Sequence, residues 1–168
     1  VAVRGTDMWR EMKEVMGALS SCYEELLKTS EEKHKALAAM NLKEIERVVK
    51  EEEKLAARVE QLEKRRQAAL QSLAEKETGI EPTMKLRDLT LRCPDARLAQ
   101  ELAALHEELD RRMKEVERFG ERNTLLAEGA LAAVTANLNR IGGTAAGASY
   151  GAGGKESVTR ERRFDFKA

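Results

Sequence analysis

Residues 40–45, with the sequence MNLKEI, interrupt a long run of helix-forming sequence and predict a tight turn between two helices. Asn41 is a favourable residue immediately before a helix, and Glu44 three residues later completes the sequence signature of a capping box. Because so few residues separate the two helical patterns, the helices on either side should form an antiparallel hairpin. We expect them to span residues 7–39 and 42–77.

Apolar residues on both sides of this turn recur at alternating spacings of three and four residues, which is typical of a coiled-coil seam. The first seam comprises Met8, Met12, Val15, Leu19, Cys22 and Leu26. The second comprises Ile45, Val48, Glu52, Leu55, Val59, Leu62, Arg66, Ala69 and Leu73. Trp9 and Met16 widen the first seam, which favours a bundle over a two-stranded coiled coil. We expect Glu52 and Arg66 to reach the bundle edge or pair with a neighbouring helix.

A glycine and a proline in the sequence TGIEP, residues 78–82, predict the end of the second helix. A short apolar segment follows, and a third helix is expected over residues 95–141, with Pro94 at its start and Asp95 in its first turn. Its seam comprises Leu98, Leu102, Leu105, Leu109, Arg112, Val116, Phe119, Asn123 and Leu126, and then shifts by one residue to Ala127, Leu131, Val134, Leu138 and Ile141.

The predicted fold is all-α: an antiparallel bundle of three long helices, made of a coiled-coil-like helical hairpin and a longer third helix, with a flexible C-terminal tail. At 1.5 Å per residue the hairpin helices would be roughly 50 Å long and the third roughly 70 Å, so the third should overhang the turn. The predicted core comprises Met12, Val15, Leu19, Leu26, Val48, Leu55, Val59, Leu62, Leu102, Leu105, Leu109 and Val116.

The composition predicts two regions, a helical bundle domain over residues 1–141 and a Gly-rich, charged tail over residues 142–168. The tail combines small residues with charges and has little apolar surface to bury, so we expect it to be flexible.

The charge balance excludes several classes of partner. Lys and Arg number 30 and Asp and Glu also number 30, so the net charge is zero. A general nucleic-acid binder or a polybasic membrane-surface protein would need an excess of positive charge.

No apolar run is long enough to span a membrane, and the first ten residues lack the pattern of a signal peptide. In a chain without an export signal, we expect Cys22 and Cys93 to be reduced thiols.

No group of side chains suggests catalysis. His34 and His106 have no second ligand at helical spacing, so neither predicts a metal site. The runs of glutamate are typical of a solvated helix face. We expect no catalytic residue, no metal and no cofactor, and interpret the chain as an interaction protein.

Three stretches resemble the FlgN family of flagellar export chaperones: the MNLKEI turn followed by a Glu/Lys/Leu-rich helix, the sequence ERNTLL at residues 121–126, and Ser149-Tyr150-Gly151 before further glycines. The resemblance implies a cytoplasmic, all-helical chaperone. Such proteins bind the hook-filament junction proteins FlgK and FlgL before secretion and help deliver them to the flagellar type III export gate.

The predicted partner-binding residues lie near the carboxyl end. The overhanging part of the third helix should expose an amphipathic stripe suited to pairing with a partner helix, formed by Leu131, Val134, Leu138 and Ile141. Tyr150, Phe164 and Phe166 could add anchors from the tail. The resemblance places client binding in the same carboxyl-terminal region. The alternative is that the helix bends at Gly120 or Gly129 and packs the stripe on its own bundle, or that a dimer buries it.

Two other functions remain open at this stage. A structural coiled-coil spacer would have a large hydrodynamic size and a concentration-dependent thermal transition. A different type III export chaperone, or a prefoldin-like holdase, would share the helical scaffold. A chaperone of the FlgN type should be a monomer or weak homodimer that forms a stoichiometric complex with its client.

Overall fold

A computed structural model describes the backbone of residues 5–148 and the side chains of residues 5–143. These residues form four α-helices and no β-strand, so the all-α class is confirmed. The helices are α1 (Gly5–Ala38), α2 (Leu42–Lys76), α3 (Leu86–Thr90) and α4 (Ala96–Ala148). Helix α3 is the short apolar segment after the second helix, and α4 extends beyond the end predicted at residue 141.

The described residues divide into two compact units, with the boundary between Asn123 and Thr124. Helices α1, α2 and α3 and the first part of α4 belong to the first unit, and the rest of α4 belongs to the second. The predicted division between a bundle domain ending at residue 141 and a tail starting at residue 142 stays a prediction.

The turn between α1 and α2 is a Schellman motif followed directly by a helix cap. The amide of Asn41 donates to the carbonyl of Ala36 at 3.0 Å, and the amide of Met40 donates to the carbonyl of Leu37 at 3.1 Å. The Asn41 side chain then accepts from the amide of Glu44 at 3.2 Å, as the sequence predicted. The reciprocal half of the capping box is not formed, because the Asn41 amide is used by the end of α1. The Glu44 carboxylate instead accepts from Arg47 Nε at 3.0 Å.

Helices α1 and α2 are antiparallel, because contacts that move forward along α1 move backward along α2. Glu11 pairs with Arg65, Cys22 Sγ lies 3.6 Å from the carbonyl of Leu55, and Glu32 pairs with Arg47. The seam residue Glu52 binds Lys33 of α1 at 2.7 Å, whereas the seam residue Arg66 binds Glu63 of its own helix at 2.8 Å.

The first part of α4 runs parallel to α1. Three contacts between the helices show this, because the residue numbers of both helices increase from one contact to the next. Lys13 contacts Glu101, Ser20 contacts Arg112, and Ser30 contacts Asn123. The helix begins with Asp95 as its cap rather than in its first turn. The Asp95 carboxylate accepts from the amides of Arg97 and Leu98 at 2.9 and 3.1 Å.

One hydrophobic core joins residues from all four helices. Of the predicted core, the buried residues are Met12, Val15, Leu19, Val48, Leu55, Leu62, Leu102 and Leu109. Leu26, Val59, Leu105 and Val116 are only half-buried, so their full burial was wrongly predicted. Leu26, Val59 and Leu105 pack against the core cluster while remaining partly exposed, a difference from the core centre that a heptad pattern alone does not show. Trp9, which the sequence placed beside the first seam, and Leu70 and Leu89 were not in the predicted core, and all three are buried.

Candidate functional site

The second half of α4 carries the stripe that the sequence predicted as a binding surface. Leu131, Val134, Leu138 and Ile141 are 52%, 41%, 49% and 61% exposed. Their spacings of three, four and three residues place them on one face of the helix. Solitary exposed leucines are common on protein surfaces, but four large apolar residues on one helical face are unusual.

The helix around this stripe is poor in charge. Between residues 124 and 143 the charged residues are Glu128 and Arg140, although charged residues make up 36% of the whole chain. Most of the remaining positions are small, chiefly alanine and glycine. A partner that covers the stripe would therefore desolvate few charged groups, which keeps the cost of association low.

The remaining predicted binding residues, Tyr150, Phe164 and Phe166, lie outside the described residues. Gly120 and Gly129, where a bend was considered, lie inside helix α4, which is continuous from Ala96 to Ala148.

Directly before the stripe-bearing segment, α4 makes a buried polar contact with α1. Asn123 is 3% exposed, and its Nδ2 donates to the carbonyl of Ser30 at 2.8 Å. Its Oδ1 lies 3.0 Å from Nδ1 of His34, and since a carboxamide oxygen only accepts, His34 Nδ1 carries the proton. The sequence placed Asn123 in the apolar seam without assigning it a role. A lone asparagine at a seam position is the signal that could have indicated a contact specifying helix register.

A second polar contact joins the same two helices nearer the start of α4. Arg112 donates through Nη1 to the carbonyl of Ser20 at 2.7 Å and to its hydroxyl at 3.1 Å. Its Nη2 pairs with Glu108 at 2.5 Å and with Glu24 at 3.4 Å. Together, Arg112 and Asn123 fix the position of α4 along α1 by directional hydrogen bonds.

The thiols offer little reactivity. Both cysteines are unbonded, with Cys22 buried and Cys93 partly exposed. Burial raises the pKa of each thiol above its ordinary value, which keeps it in the weakly nucleophilic protonated form. Within the described residues, no three histidine, cysteine or carboxylate side chains come together as metal ligands.

Comparison with known families assigns this helical chain to a family. The model of a family described as FlgN protein matches residues 8–157, which is most of the chain. The protein belongs to the FlgN family. FlgN proteins are flagellar export chaperones, so this family member has the general role of a chaperone in flagellar protein export. The family is one of chaperones rather than enzymes.

No curated protein and no solved structure matches this FlgN-family chain. In the described part of the chain, no helix is both long enough and apolar enough to cross a lipid bilayer.

Proposed function

We propose that this FlgN-family protein binds hook-filament junction proteins of the FlgK and FlgL type in the cytoplasm before secretion and delivers them to the flagellar type III export gate. The client docks on the stripe Leu131, Val134, Leu138 and Ile141. The long helices α1, α2 and α4 act as a three-helix bundle that carries this surface. In this proposal the bundle domain ends at residue 141, and Tyr150, Phe164 and Phe166 in the tail add secondary anchors.

The observation that supports this proposal most strongly is the exposure of the stripe in a charge-poor helix of a chaperone family member. In the first unit, the large apolar residues at seam positions are buried or half-buried. An amphipathic helix with an uncovered apolar face is suited to binding a second helix, because both helices then bury apolar surface. The family match favours this function over a coiled-coil spacer.

The decisive experiment compares two double variants in binding to purified FlgK-type and FlgL-type proteins by calorimetry. The stripe variant carries Leu131→Asp and Leu138→Asp. The control variant carries Leu42→Asp and Leu91→Asp, which make the same chemical change at residues that are each 80% exposed and lie off the stripe. Loss of two buried leucines should weaken binding by roughly a hundredfold in the stripe variant, whereas the control should keep wild-type affinity.

Wild-type affinity in both variants, with helicity retained, would place the client elsewhere. Equal weakening of both would indicate non-specific hydrophobic capture instead of a defined site.

A chain ending at Ala148 should bind more weakly than the full chain but more tightly than the stripe variant. Sedimentation of the full chain without client should show a monomer or weak dimer, whereas a stable dimer broken by the stripe substitutions would show that a second copy covers the stripe.

A further inference from the structure

A second surface, in the first unit, combines an apolar floor with a positively charged rim. It is a groove of about 700 Å³ between α2, the connection from α2 to α3, α3 itself and α4. Leu70, Met84 and Leu86 supply apolar lining. The side chain of Gln67 donates to the carbonyl of Pro82 at 3.3 Å and thereby ties the connection to α2.

Every formally charged residue that lines this groove is basic. The cations are Arg66, Lys85 and Arg87, His106 lies beside them, and no carboxylate belongs to the lining. This is a local exception in a chain with equal numbers of acidic and basic residues. The adjoining groove is different, since Glu81 and Asp88 line it together with Lys85 and Arg92.

Two of the three cations of the groove, Lys85 and Arg87, are available to a partner. Lys85 and Arg87 are exposed, and neither side chain forms an ion pair within the described residues. Arg66 is partly buried and pairs through Nε with Glu63 at 2.8 Å. Elsewhere on the described surface, cations such as Lys50, Lys64 and Lys114 are matched by a carboxylate one helical turn away.

We propose that this groove binds an acidic amphipathic helix of a protein partner. Apolar side chains of that helix contact Met84 and Leu86 above the buried Leu70, and its carboxylates pair chiefly with Lys85 and Arg87. An apolar floor with a cationic rim selects this combination, because an acidic segment without apolar residues leaves the floor uncovered and a basic one is repelled. The lining residues lie between positions 66 and 106, so this surface is independent of the client stripe.

The test uses three fluorescein-labelled helical peptides of about sixteen residues, measured by fluorescence anisotropy with the full-length protein. The first peptide has leucines at spacings of three and four with glutamates between them. The second has lysine in place of each glutamate, and the third has alanine in place of each leucine. We expect the first peptide to bind, the second to show no binding, and the third to bind at least about tenfold more weakly than the first.

The matched protein variants reverse two charges each. Lys85→Glu with Arg87→Glu should weaken binding of the acidic amphipathic peptide by about tenfold or more, because attraction becomes repulsion. Lys35→Glu with Lys43→Glu changes the net charge equally at the turn between α1 and α2, about 35 Å from Arg66 along α2, and should leave the affinity unchanged. Raising the salt from about 50 to about 300 mM should weaken binding to the wild type, because exposed charges are screened.

Three outcomes would overturn the proposal: no binding of the acidic amphipathic peptide, equal binding of the leucine and alanine peptides, or equal effects of the two charge-reversal pairs. Displacement of the peptide by a lower concentration of oligothymidine would also overturn it in favour of a nucleic-acid site. The variant Leu131→Asp with Leu138→Asp should keep wild-type affinity for the peptide, so failure at the groove and failure at the client stripe are distinguishable.

Discussion

Met40, at the turn between α1 and α2, has a left-handed backbone with φ of 53°, and it is the only non-glycine residue in the described chain with positive φ. This conformation costs an L-amino acid with a Cβ roughly 1–2 kcal/mol. The Met40 side chain is half exposed and therefore recovers little of this cost by packing. The Schellman motif, with its two hydrogen bonds, holds the residue in place despite the strain.

Met40→Gly should therefore stabilise the protein. Glycine adopts the left-handed conformation without steric cost, although its greater freedom in the unfolded chain offsets part of the gain. We expect an increase of up to about 1 kcal/mol in the free energy of unfolding, measured by urea denaturation. The neighbouring substitution Ala39→Gly, at a residue with negative φ, should not increase the free energy of unfolding. A decrease in stability for Met40→Gly would show that the methionine side chain contributes more than its exposure suggests.

Two leucines one helical turn apart in α4 differ sharply in burial. Leu102 has no exposed surface, whereas Leu105 is half-buried at the border of the core. Leu102→Ala should cost roughly 2–5 kcal/mol of unfolding free energy, because it leaves a cavity in the core. Leu105→Ala should cost clearly less, since solvent and neighbouring side chains can fill the space. Chemical denaturation of both variants checks this ranking, and an equal cost would contradict the burial difference.

At the scale of the element, α4 changes character at Asn123. Up to this residue its seam packs on the hairpin, and two polar seam residues, Arg112 and Asn123, bind carbonyl groups of α1. Beyond it, the described residues of α4 are exposed or half-buried. The directional polar contact therefore marks the last residue of the first compact unit.

Asn123→Ala should destabilise the first unit by roughly 1–3 kcal/mol, because the buried His34 contact loses its acceptor and Ser30 loses its donor. Asn137→Ala removes an exposed asparagine from the same helix and should change stability little, with a slight gain from helix propensity. Thermal unfolding followed by circular dichroism compares the two. Identical transitions would mean that water replaces the Asn123 contacts without cost.

At the scale of the whole molecule, surface charge is balanced locally by pairs along and between helices. Hydrogen bonding from Lys13 lowers the pKa of Glu101, and hydrogen bonding from Lys114 lowers the pKa of Asp110. Lys64 lowers the pKa of Glu60 in the same way. Because all three carboxylates are at the surface, each pair contributes little by itself.

These lowered pKa values predict acid destabilisation. The carboxylates stay ionised to lower pH in the folded state than in the unfolded state. Their contribution to the free energy of unfolding is therefore fully present above the ordinary pKa values of 4.5 for Glu101 and 3.8 for Asp110. It is lost as the pH falls through the depressed folded-state values. We expect a nearly constant melting temperature between about pH 7 and pH 5 and a decline below about pH 4.5. The variant Lys13→Met should show a shallower decline, and a melting temperature that rises on acidification would contradict the expectation.

The sequence by itself determined the helical class, the turn at Asn41 and the approximate ends of α1 and α2. These features depend on apolar periodicity, a capping side chain and helix-breaking residues. Such signals come from residues that are close together in the sequence. The sequence also predicted that Leu131, Val134, Leu138 and Ile141 lie on one face of a helix, because their spacing is helical.

Only the tertiary structure decided which apolar residues occupy the centre of the core and which polar seam residues join α4 to α1. The heptad pattern treats Leu102 and Leu105 alike, yet one is buried and the other half-buried, because burial depends on the angle at which another helix approaches. The basic groove is likewise invisible in the sequence, since Arg66, Lys85, Arg87 and His106 come from separate elements that packing brings together. Long-range packing sets these features because no local interaction fixes the distance between residues on different helices.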